Sequence, residues 1–472
     1  MKPFHFSLSQ NHISLVISAI LIPIFFTLGL ANCSNSFLDE AVASGNPTLE
    51  WVIVPQINET SAVVVWKCNA KVEGFIRYGS VNGNETWLSS FLPSDIHTLT
   101  IGNFASNELI NYQVFCGLSE NGIGPAFSFV SQPSNSDIIK RSIWIVGGTG
   151  SNKQPVSDID FYDPIDNRWY NSVTQIPTPR INAQVLTHQN KIYIIGGIRV
   201  NGTTTTASNL TEVYDPFTNT WTTMSPLPTT LQGAVVGSVG ESIYAIGGTT
   251  STDMTTGTIL DTVLRFQPTV GDSGQWSSYT SANSIFARVD MSGCEFNGSI
   301  YISGGRFYQN GTPQATSDSY VPSANSTTAK IEASNSLARH GSASACYRPR
   351  TGDTAPNDPS LFLIAGGSTS IDINQPVNAI VPSNRFEYSI LGTQTNSFVI
   401  GSNLPTNLYY PAMEISYEQR KAYLFGGSQE INLPVDTVYS LELSSPSTSP
   451  WQDAGSVMPR PRFGHKAVIL NR

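Results

Sequence analysis

One short phrase, a hydrophobic strand running into two glycines, occurs six times along this chain and limits what it can fold into. The copies read IWIVGG (Ile143 to Gly148), IYIIGG (Ile192 to Gly197), IYAIGG (Ile243 to Gly248), IYISGG (Ile300 to Gly305), LFLIAGG (Leu361 to Gly367) and AYLFGG (Ala422 to Gly427). The glycine pairs are Gly147 and Gly148, Gly196 and Gly197, Gly247 and Gly248, Gly304 and Gly305, Gly366 and Gly367, and Gly426 and Gly427. The second glycines lie 49, 51, 57, 62 and 60 residues apart. That period suits one four-stranded blade of a β-propeller and is too long for a helical-pair repeat.

A second motif follows each pair, an aromatic residue in a strand that ends in a turn. Its copies are DFYDP (Asp160 to Pro164), EVYDP (Glu212 to Pro216), LRFQP (Leu264 to Pro268), DSYVP (Asp318 to Pro322), RFEYS (Arg385 to Ser389) and DTVYS (Asp436 to Ser440). Tryptophan comes next in four repeats, at Trp169, Trp221, Trp276 and Trp451. The fourth repeat has Lys330, Ile331 and Glu332 there, and the fifth has Phe398. Double glycine, aromatic and tryptophan in this order resemble the kelch repeat, over nearly all of residues 137–472. The resemblance implies a six-bladed kelch β-propeller in which the double glycine ends the second strand of each blade. Glycine suits that place, because without a Cβ the chain can turn sharply at positive φ while a neighbouring ring packs over it. The recurring Tyr and Trp are then packing between blades.

Repeats two to six each begin with a strand ahead of the glycines, for example Ile181 to Thr187 or Arg288 to Cys294, whereas the first starts almost at Ser142. The C-terminal RFGHKAVIL, Arg462 to Leu470, is expected to supply the missing innermost strand and so close the ring without a free edge. Cys294 and Cys346 follow the first strands of adjacent blades and are a candidate disulfide, although their offsets from Arg288 and Arg339 differ by one residue.

Residues 49–132 read as a series of short strands, Leu49 to Val54, Thr60 to Cys68, Gly74 to Tyr78, His97 to Ile101, Ile110 to Cys116 and Phe127 to Val130, with a turn at Asn82, Gly83 and Asn84. TSAVVVW (Thr60 to Trp66), GFIRYGS (Gly74 to Ser80) and LINYQVFCGLSENGIG (Leu109 to Gly124) resemble a fibronectin type III domain, a β-sandwich. The resemblance makes Trp66 the core tryptophan and Tyr112 the corner tyrosine whose hydroxyl bonds back to the chain. It also sets Cys68 and Cys116 on facing strands, either as a disulfide or as two buried thiols. His97 opens a strand and reads as surface or turn.

The first 32 residues carry Lys2 ahead of an apolar stretch from Ile13 to Leu30 and read as a targeting segment. Leu30, Ala31, Asn32 and Cys33 resemble the lipobox of bacterial lipoproteins, which implies lipidation of Cys33, with Asn32 departing from the usual small residue. The alternatives are ordinary secretion after the small-x-small Gly29, Leu30 and Ala31, and an uncleaved anchor long enough to span a bilayer. Residues 33–48 read as a tether. Cysteines paired two per domain fit an oxidising compartment. Charged residues are 12% of the chain and the net charge is -9 with no basic cluster, which argues against a nucleic-acid partner.

In the implied propeller the loops after the double glycines emerge on the same face as the connections between blades. They are Arg199 to Leu210, Thr249 to Thr262, Arg306 to Ser317 and Ser368 to Asn384. Arg180, Arg288, Arg339 and Arg462 lie at the connections, with His340 and His465 nearby. A rim of arginines would hold carboxylates, sulfates or acidic peptides through paired hydrogen bonds. The competing reading has these arginines bridge neighbouring blades. Arg199, Arg306 and the Phe307, Tyr308 and Gln309 run complete the candidate ligand surface. No copper, zinc or other cofactor is expected: the scattered His188, His340 and His465 lack the histidine and tyrosine set that a resemblance to galactose oxidase would require. The expected product is an exported, lipid-anchored protein of the bacterial outer membrane or cell surface whose propeller binds a glycan or a protein. The alternatives are a periplasmic sugar mutarotase, for which Glu295, Glu332, Glu387 and Glu430 are available carboxylates, and a purely structural envelope component.

Overall fold

A computed structural model describes residues 47–80, 85–106, 108–118, 122–132, 134–252, 258–279, 287–306, 312–324, 326–332, 337–349, 359–369, 381–392, 397–430 and 432–470. The N-terminal targeting segment, Cys33, the turn at Asn82 to Asn84, and Phe307, Tyr308 and Gln309 lie outside these residues. The chain divides into two compact units, the first ending at Ser131 and the second running from Gln132 to Arg472. Both are nearly all strand.

The first unit has seven strands: β1 (Leu49–Ile57), β2 (Ser61–Val72), β3 (Gly74–Ser80), β4 (Thr86–Ser89), β5 (Ser94–Gly102), β6 (Leu109–Cys116) and β7 (Ile123–Val130). They form two antiparallel sheets, ordered β1-β2-β5 and β4-β3-β6-β7. Alternation decides which side chains are inside: Ala62, Val64, Trp66 and Cys68 on β2, and Ile110, Tyr112, Val114 and Cys116 on β6, are buried in one shared core. Cys68 and Cys116 are disulfide-bonded across the two sheets, with Cα atoms 5.8 Å apart. Two expectations need correcting. His97 is not at the surface; it is buried, stacks on Trp66 at 5.0 Å and bonds Ser90 Oγ through Nδ1, and burial pushes its pKa down. The tyrosine hydroxyl that reaches the backbone is that of Tyr78, which accepts from Gly102 N at 3.4 Å, while Tyr112 stacks on Phe127.

The second unit opens with a short helix the sequence pattern did not suggest, Asn135–Arg141, capped by Ser134 and Asp137 in a capping box. Six four-stranded antiparallel sheets follow, and each double glycine stands at the end of a second strand or, in the first repeat, of the strand equivalent to it. In the first sheet that strand, Ile143–Val146, pairs with the C-terminal Lys466–Ile469, whose register runs from Lys466 opposite Val146 to Ile469 opposite Ile143. The remaining innermost strands are Gln184–His188, Val235–Val239, Ser292–Phe296, Ala343–Tyr347 and Ala412–Ser416. Each touches the innermost strand before and after it, and Ala412–Ser416 and Gln184–His188 both touch Lys466–Ile469. These strands begin three or four residues later than the sequence pattern suggested, because the arginine and the two residues after it turn the chain before pairing starts.

Aromatic side chains bind sheet to sheet. Trp169, Trp221 and Trp276 lie against the aromatic of their own third strand, 5.1 Å from Tyr162, 5.1 Å from Tyr214 and 4.9 Å from Phe266, whereas Trp451 lies edge-on to Phe386 of the fifth sheet at 5.3 Å. The indole N–H of the first three reaches the sheet before: Trp221 donates to Thr174 Oγ1 at 3.0 Å, Trp276 to Thr211 Oγ1 at 3.1 Å, and Trp169, in the first sheet, to Ser456 Oγ of the sixth at 2.9 Å. Between the fourth and fifth sheets Cys294 and Cys346 are disulfide-bonded across their innermost strands. The one-residue difference in offset does not separate them.

Candidate functional site

Both glycines of every pair have positive φ. What approaches them is a backbone carbonyl and not the expected aromatic ring. A Cβ on Gly196 would stand 2.2 Å from Leu231 O, and one on Gly304 would stand 2.5 Å from Arg339 O, so no other residue fits. These carbonyls belong to the residues that lead into the next sheet. Gly248 N donates to Arg288 O, Gly305 N to Arg339 O and Gly427 N to Arg462 O, at 2.9 to 3.0 Å.

The guanidinium groups of these arginines turn forward into the sheet they introduce. Arg180 Nε donates to Gly196 O at 2.6 Å, and its Nη1 to Glu212 Oε2 at 2.6 Å. Arg288 donates to Gly304 O at 2.8 Å and to Asp318, Arg339 to Gly366 O at 3.2 Å and to Glu387 at 2.9 Å, and Arg462 to Gly147 O and to Asp160. Each arginine therefore ties one sheet to the next, Arg462 tying the sixth to the first. All four side chains are buried, at 0 to 3% exposure. Burial lowers their pKa values against the pull of the paired carboxylates. The expected rim of arginines facing a ligand is therefore absent; their donors are used inside the sheets. Arg306 is also buried, and grips Asp290 Oδ2 through Nη2 at 2.8 Å and Nε at 3.1 Å. Among the described residues of the expected set Arg199 alone is exposed, on a two-stranded extension formed by Ile198–Asn201 and Thr204–Ala207.

The site sequence reasoning missed lies where the six innermost strands converge. They line a cavity of about 460 Å³. A smaller recess of about 20 Å³ that shares Gln184 and Lys466 with it, called the mouth below, is lined by six equivalent residues, each two positions after the arginine or its replacement, and each left-handed: Asn182 (φ 54), Gly233 (65), Asp290 (55), Gly341 (61), Tyr410 (50) and Gly464 (66). Backbone hydrogen bonds link five of them in turn, from Asp290 N to Gly233 O, Gly341 N to Asp290 O, Tyr410 N to Gly341 O and Gly464 N to Tyr410 O, at 2.9 to 3.0 Å. The second, fourth and sixth sheets carry side chains at this position and the others carry glycine. A non-glycine residue held there costs on the order of 1 kcal/mol or more, the kind of strain that collects at functional sites.

The side chains close one side of the mouth. Asp290 Oδ1 lies 3.0 Å from where a Cβ on Gly233 would stand, and Tyr410 Cε1 lies 3.0 Å from that of Gly341. Asp290, Arg306, His340 and Tyr409 are buried together, and half-buried Tyr410 packs on Tyr409 at 4.2 Å with its hydroxyl facing Asp290. Burial raises the pKa of both tyrosines and opposes ionisation of Asp290, but Arg306, His340 and the hydroxyl outweigh it and hold that carboxyl below its ordinary range. His340 is neutral, its pKa pushed down to about 4 by burial, and burial pushes that of His465 down as well.

The other side is open. Nothing lies within 4 Å of a Cβ built on Gly464. Beside it Lys466 enters the cavity with no hydrogen-bond or ion-pair partner among the described residues, its pKa lowered by burial although Asp290 acts the other way. Asn182 Nδ2 is held by Gln232 Oε1 at 2.7 Å, and Gln184 completes this side. The chemistry available is one unpaired ammonium flanked by amides, which suits a carboxylate or another small anionic group. Of the carboxylates considered for proton transfer, Glu295 accepts from Gly298 N in a turn and Glu387 is committed to Arg339 and Arg385. Among the described residues no group of three His, Cys, Asp or Glu side chains is placed to hold a metal.

Comparison with known proteins places the chain's repeats. The Kelch motif matches residues 179–228 and 231–283. Similar proteins include Kelch-like protein 41 of Mus musculus, 28% identical over 148 residues that make up 31% of this chain and 23% of that protein. Kelch-like protein 25 of Xenopus tropicalis is 31% identical over 112 residues, 23% of this chain and 19% of the relative. Beta-scruin of Limulus polyphemus is 27% identical over 114 residues, 24% of this chain and 12% of the relative. The chain thus spans less than a quarter of the length of these relatives.

Proposed function

We propose, from the premise that this chain carries kelch repeats, that it is an exported binding protein in which a six-bladed kelch propeller takes a protein or glycan ligand at the mouth of its central cavity. The observation that carries this reading is the unpaired Lys466 on the open side of the mouth, flanked by Asn182 and Gln184. It selects ligands that present an acidic group. In the same reading the first unit is a fibronectin type III-like spacer and Cys33 is the lipid-bearing residue. Support for the spacer comes from the three- and four-stranded sheets around Trp66, and support for export from the two disulfides. The mutarotase alternative finds no support in the comparisons, which give kelch repeats alone.

The test is binding of the full chain to glycan and protein arrays. Saturable binding that is lost in Lys466→Met and weakened in Asn182→Ala, with the melting curve unchanged, is the expected result. Binding that survives both substitutions would move the site elsewhere. Arginine substitutions at 180, 288, 339 or 462 do not serve here, because they break the ties between sheets. Metabolic labelling with a fatty acid tests the anchor: label should be lost in Cys33→Ala.

A further inference from the structure

The three most exposed large apolar side chains among the described residues are Phe91, Leu118 and Leu92, at 81, 78 and 75% exposure. All belong to the first unit, and all lie at one end of it. Ser90 N donates to Gly74 O, which sets Phe91 and Leu92 beside the start of β3. On the other side of that strand Gly117 N donates to Glu73 O, which sets Leu118 there. With β4, β3 and β6 adjacent in the sheet, the two apolar points are about two strand spacings apart, roughly 10 Å. Half-exposed Ile123 opens β7 at the same end.

This is also the end at which the chain arrives from its N-terminal segment. Pro47 lies against Gly117, its Cγ 3.7 Å from where a Cβ would stand, and Thr48 exchanges hydrogen bonds with Asn69. The chain leaves at the opposite end, where Leu109 pairs with Val130 and Ser131 N donates to Glu108 O. Upstream of Pro47 the sequence holds the apolar stretch Ile13 to Leu30 and Cys33. Exposed Lys71 and Glu73 at the same end offset one another's charge, so the surface is apolar in character. An exposed cluster of this kind marks a contact, and the attached chain says with what.

We infer that this end of the first unit seats on the membrane, with Phe91, Leu92 and Leu118 entering the boundary between headgroups and acyl chains. The inference rests on the reading that the N-terminal segment is membrane-bound. The tether alone does not impose it, since the residues between Cys33 and Pro47 can extend to about 50 Å and would leave the unit free of the surface. Three apolar side chains at the interface add to the anchor and fix which end of the unit faces the lipid.

The full chain, with its N-terminal segment, is bound to vesicles of phosphatidylethanolamine and phosphatidylglycerol and carries a nitroxide at Leu92→Cys, at Leu118→Cys or, as reference, at Thr205→Cys. Oxygen dissolves in lipid and a charged nickel chelate does not. At 92 and 118 oxygen should relax the label and the chelate should lose access, while at 205 both have access. Vesicle-bound protein with 92 and 118 open to the chelate refutes the seating and leaves the anchor intact. Labels shielded from both agents would mean a protein contact, which also refutes it. Protein that does not bind vesicles at all removes the anchor and the seating together. An unchanged melting curve in each variant shows that the fold is kept.

Discussion

The arginine ties make a prediction that the chain's own repeats help to size. In Arg180→Leu the Glu212 carboxylate, 3% exposed, loses its ion-pair partner, and the acceptors Gly196 O and Thr178 O lose a donor. Breaking one side of a buried pair costs about 3 to 5 kcal/mol, because the remaining charge stays buried. Removing both partners is different. In the third sheet the arginine position is Leu231 and the acid position is Leu264, both buried in one apolar cluster. Arg180→Leu combined with Glu212→Leu copies that arrangement and leaves Gly196 O buried without its side-chain donor, about 1 to 3 kcal/mol, with Thr178 O only part-buried and the loss partly offset by apolar burial. The double variant should therefore recover about half or more of what the single variant loses. Urea unfolding followed by tryptophan fluorescence measures both, since Trp221 stands in the same sheet. A single variant within about 1 kcal/mol of the parent, or a double variant no better than the single, would show that the arginine is not buried against Glu212 as described.

Other consequences follow from buried groups at the mouth and from the ends of the chain. His340 has a folded pKa near 4 against 6.5 when free, so the unfolded chain binds the proton first; stability is lost as pH falls from 6.5 toward 4, by about 1.4 kcal/mol per pH unit. His340→Phe should flatten that slope in thermal melts between pH 7 and 5, and an equal slope in parent and variant would remove His340 from the account. Deleting residues 462–472 takes away Arg462 and the strand paired with Ile143–Val146, and should sharply lower the melting temperature of the second unit; an unaltered melt would exclude the pairing. The Cys294–Cys346 bridge closes 52 residues, worth about 4 kcal/mol by chain entropy, so Cys294→Ala with Cys346→Ala should lose a stability of that order under oxidising conditions and respond no further to reductant.

The repeat unit was legible because double glycine, aromatic and tryptophan answer to packing needs that recur in every sheet. The pairing of Lys466–Ile469 with Ile143–Val146 was legible too, as a strand missing at one end and spare at the other. The arginines were located but their role was left open, although the residues to decide it were in the sequence. Where the leading residue is Arg180, Arg288, Arg339 or Arg462, the third strand supplies Glu212, Asp318, Glu387 or Asp160. Where it is Leu231 or Leu408, the third strand supplies Leu264 or Tyr439 at the corresponding register. Charge meets charge and apolar meets apolar, which marks an internal contact. What was not read was the mouth: its left-handed positions recur two residues after each leading Arg or Leu, but as Asn, Gly, Asp, Gly, Tyr and Gly, and an unpartnered ammonium leaves no trace in a sequence.

The mouth also shows why departures within a repeat carry more information than the repeat. Six sheets built alike would place glycine at all six left-handed positions, since only glycine adopts that conformation without strain. Instead the positions alternate, with Asn182, Asp290 and Tyr410 separated by Gly233, Gly341 and Gly464. The alternation has a steric cause on one side, where a Cβ on Gly233 would stand 3.0 Å from Asp290 Oδ1 and one on Gly341 2.7 Å from Tyr409 and 3.0 Å from Tyr410, so a side chain at either glycine would crowd its neighbours. On the third side that cause is missing. Gly464 has open space around it, a side chain there would meet nothing within 4 Å, and Lys466 stands next to the gap. Glycine at 464 is thus not required by a neighbour. What it does is keep a cleft clear in front of the Lys466 ammonium, which has no partner among the described residues, and that cleft leaves room for an acidic group.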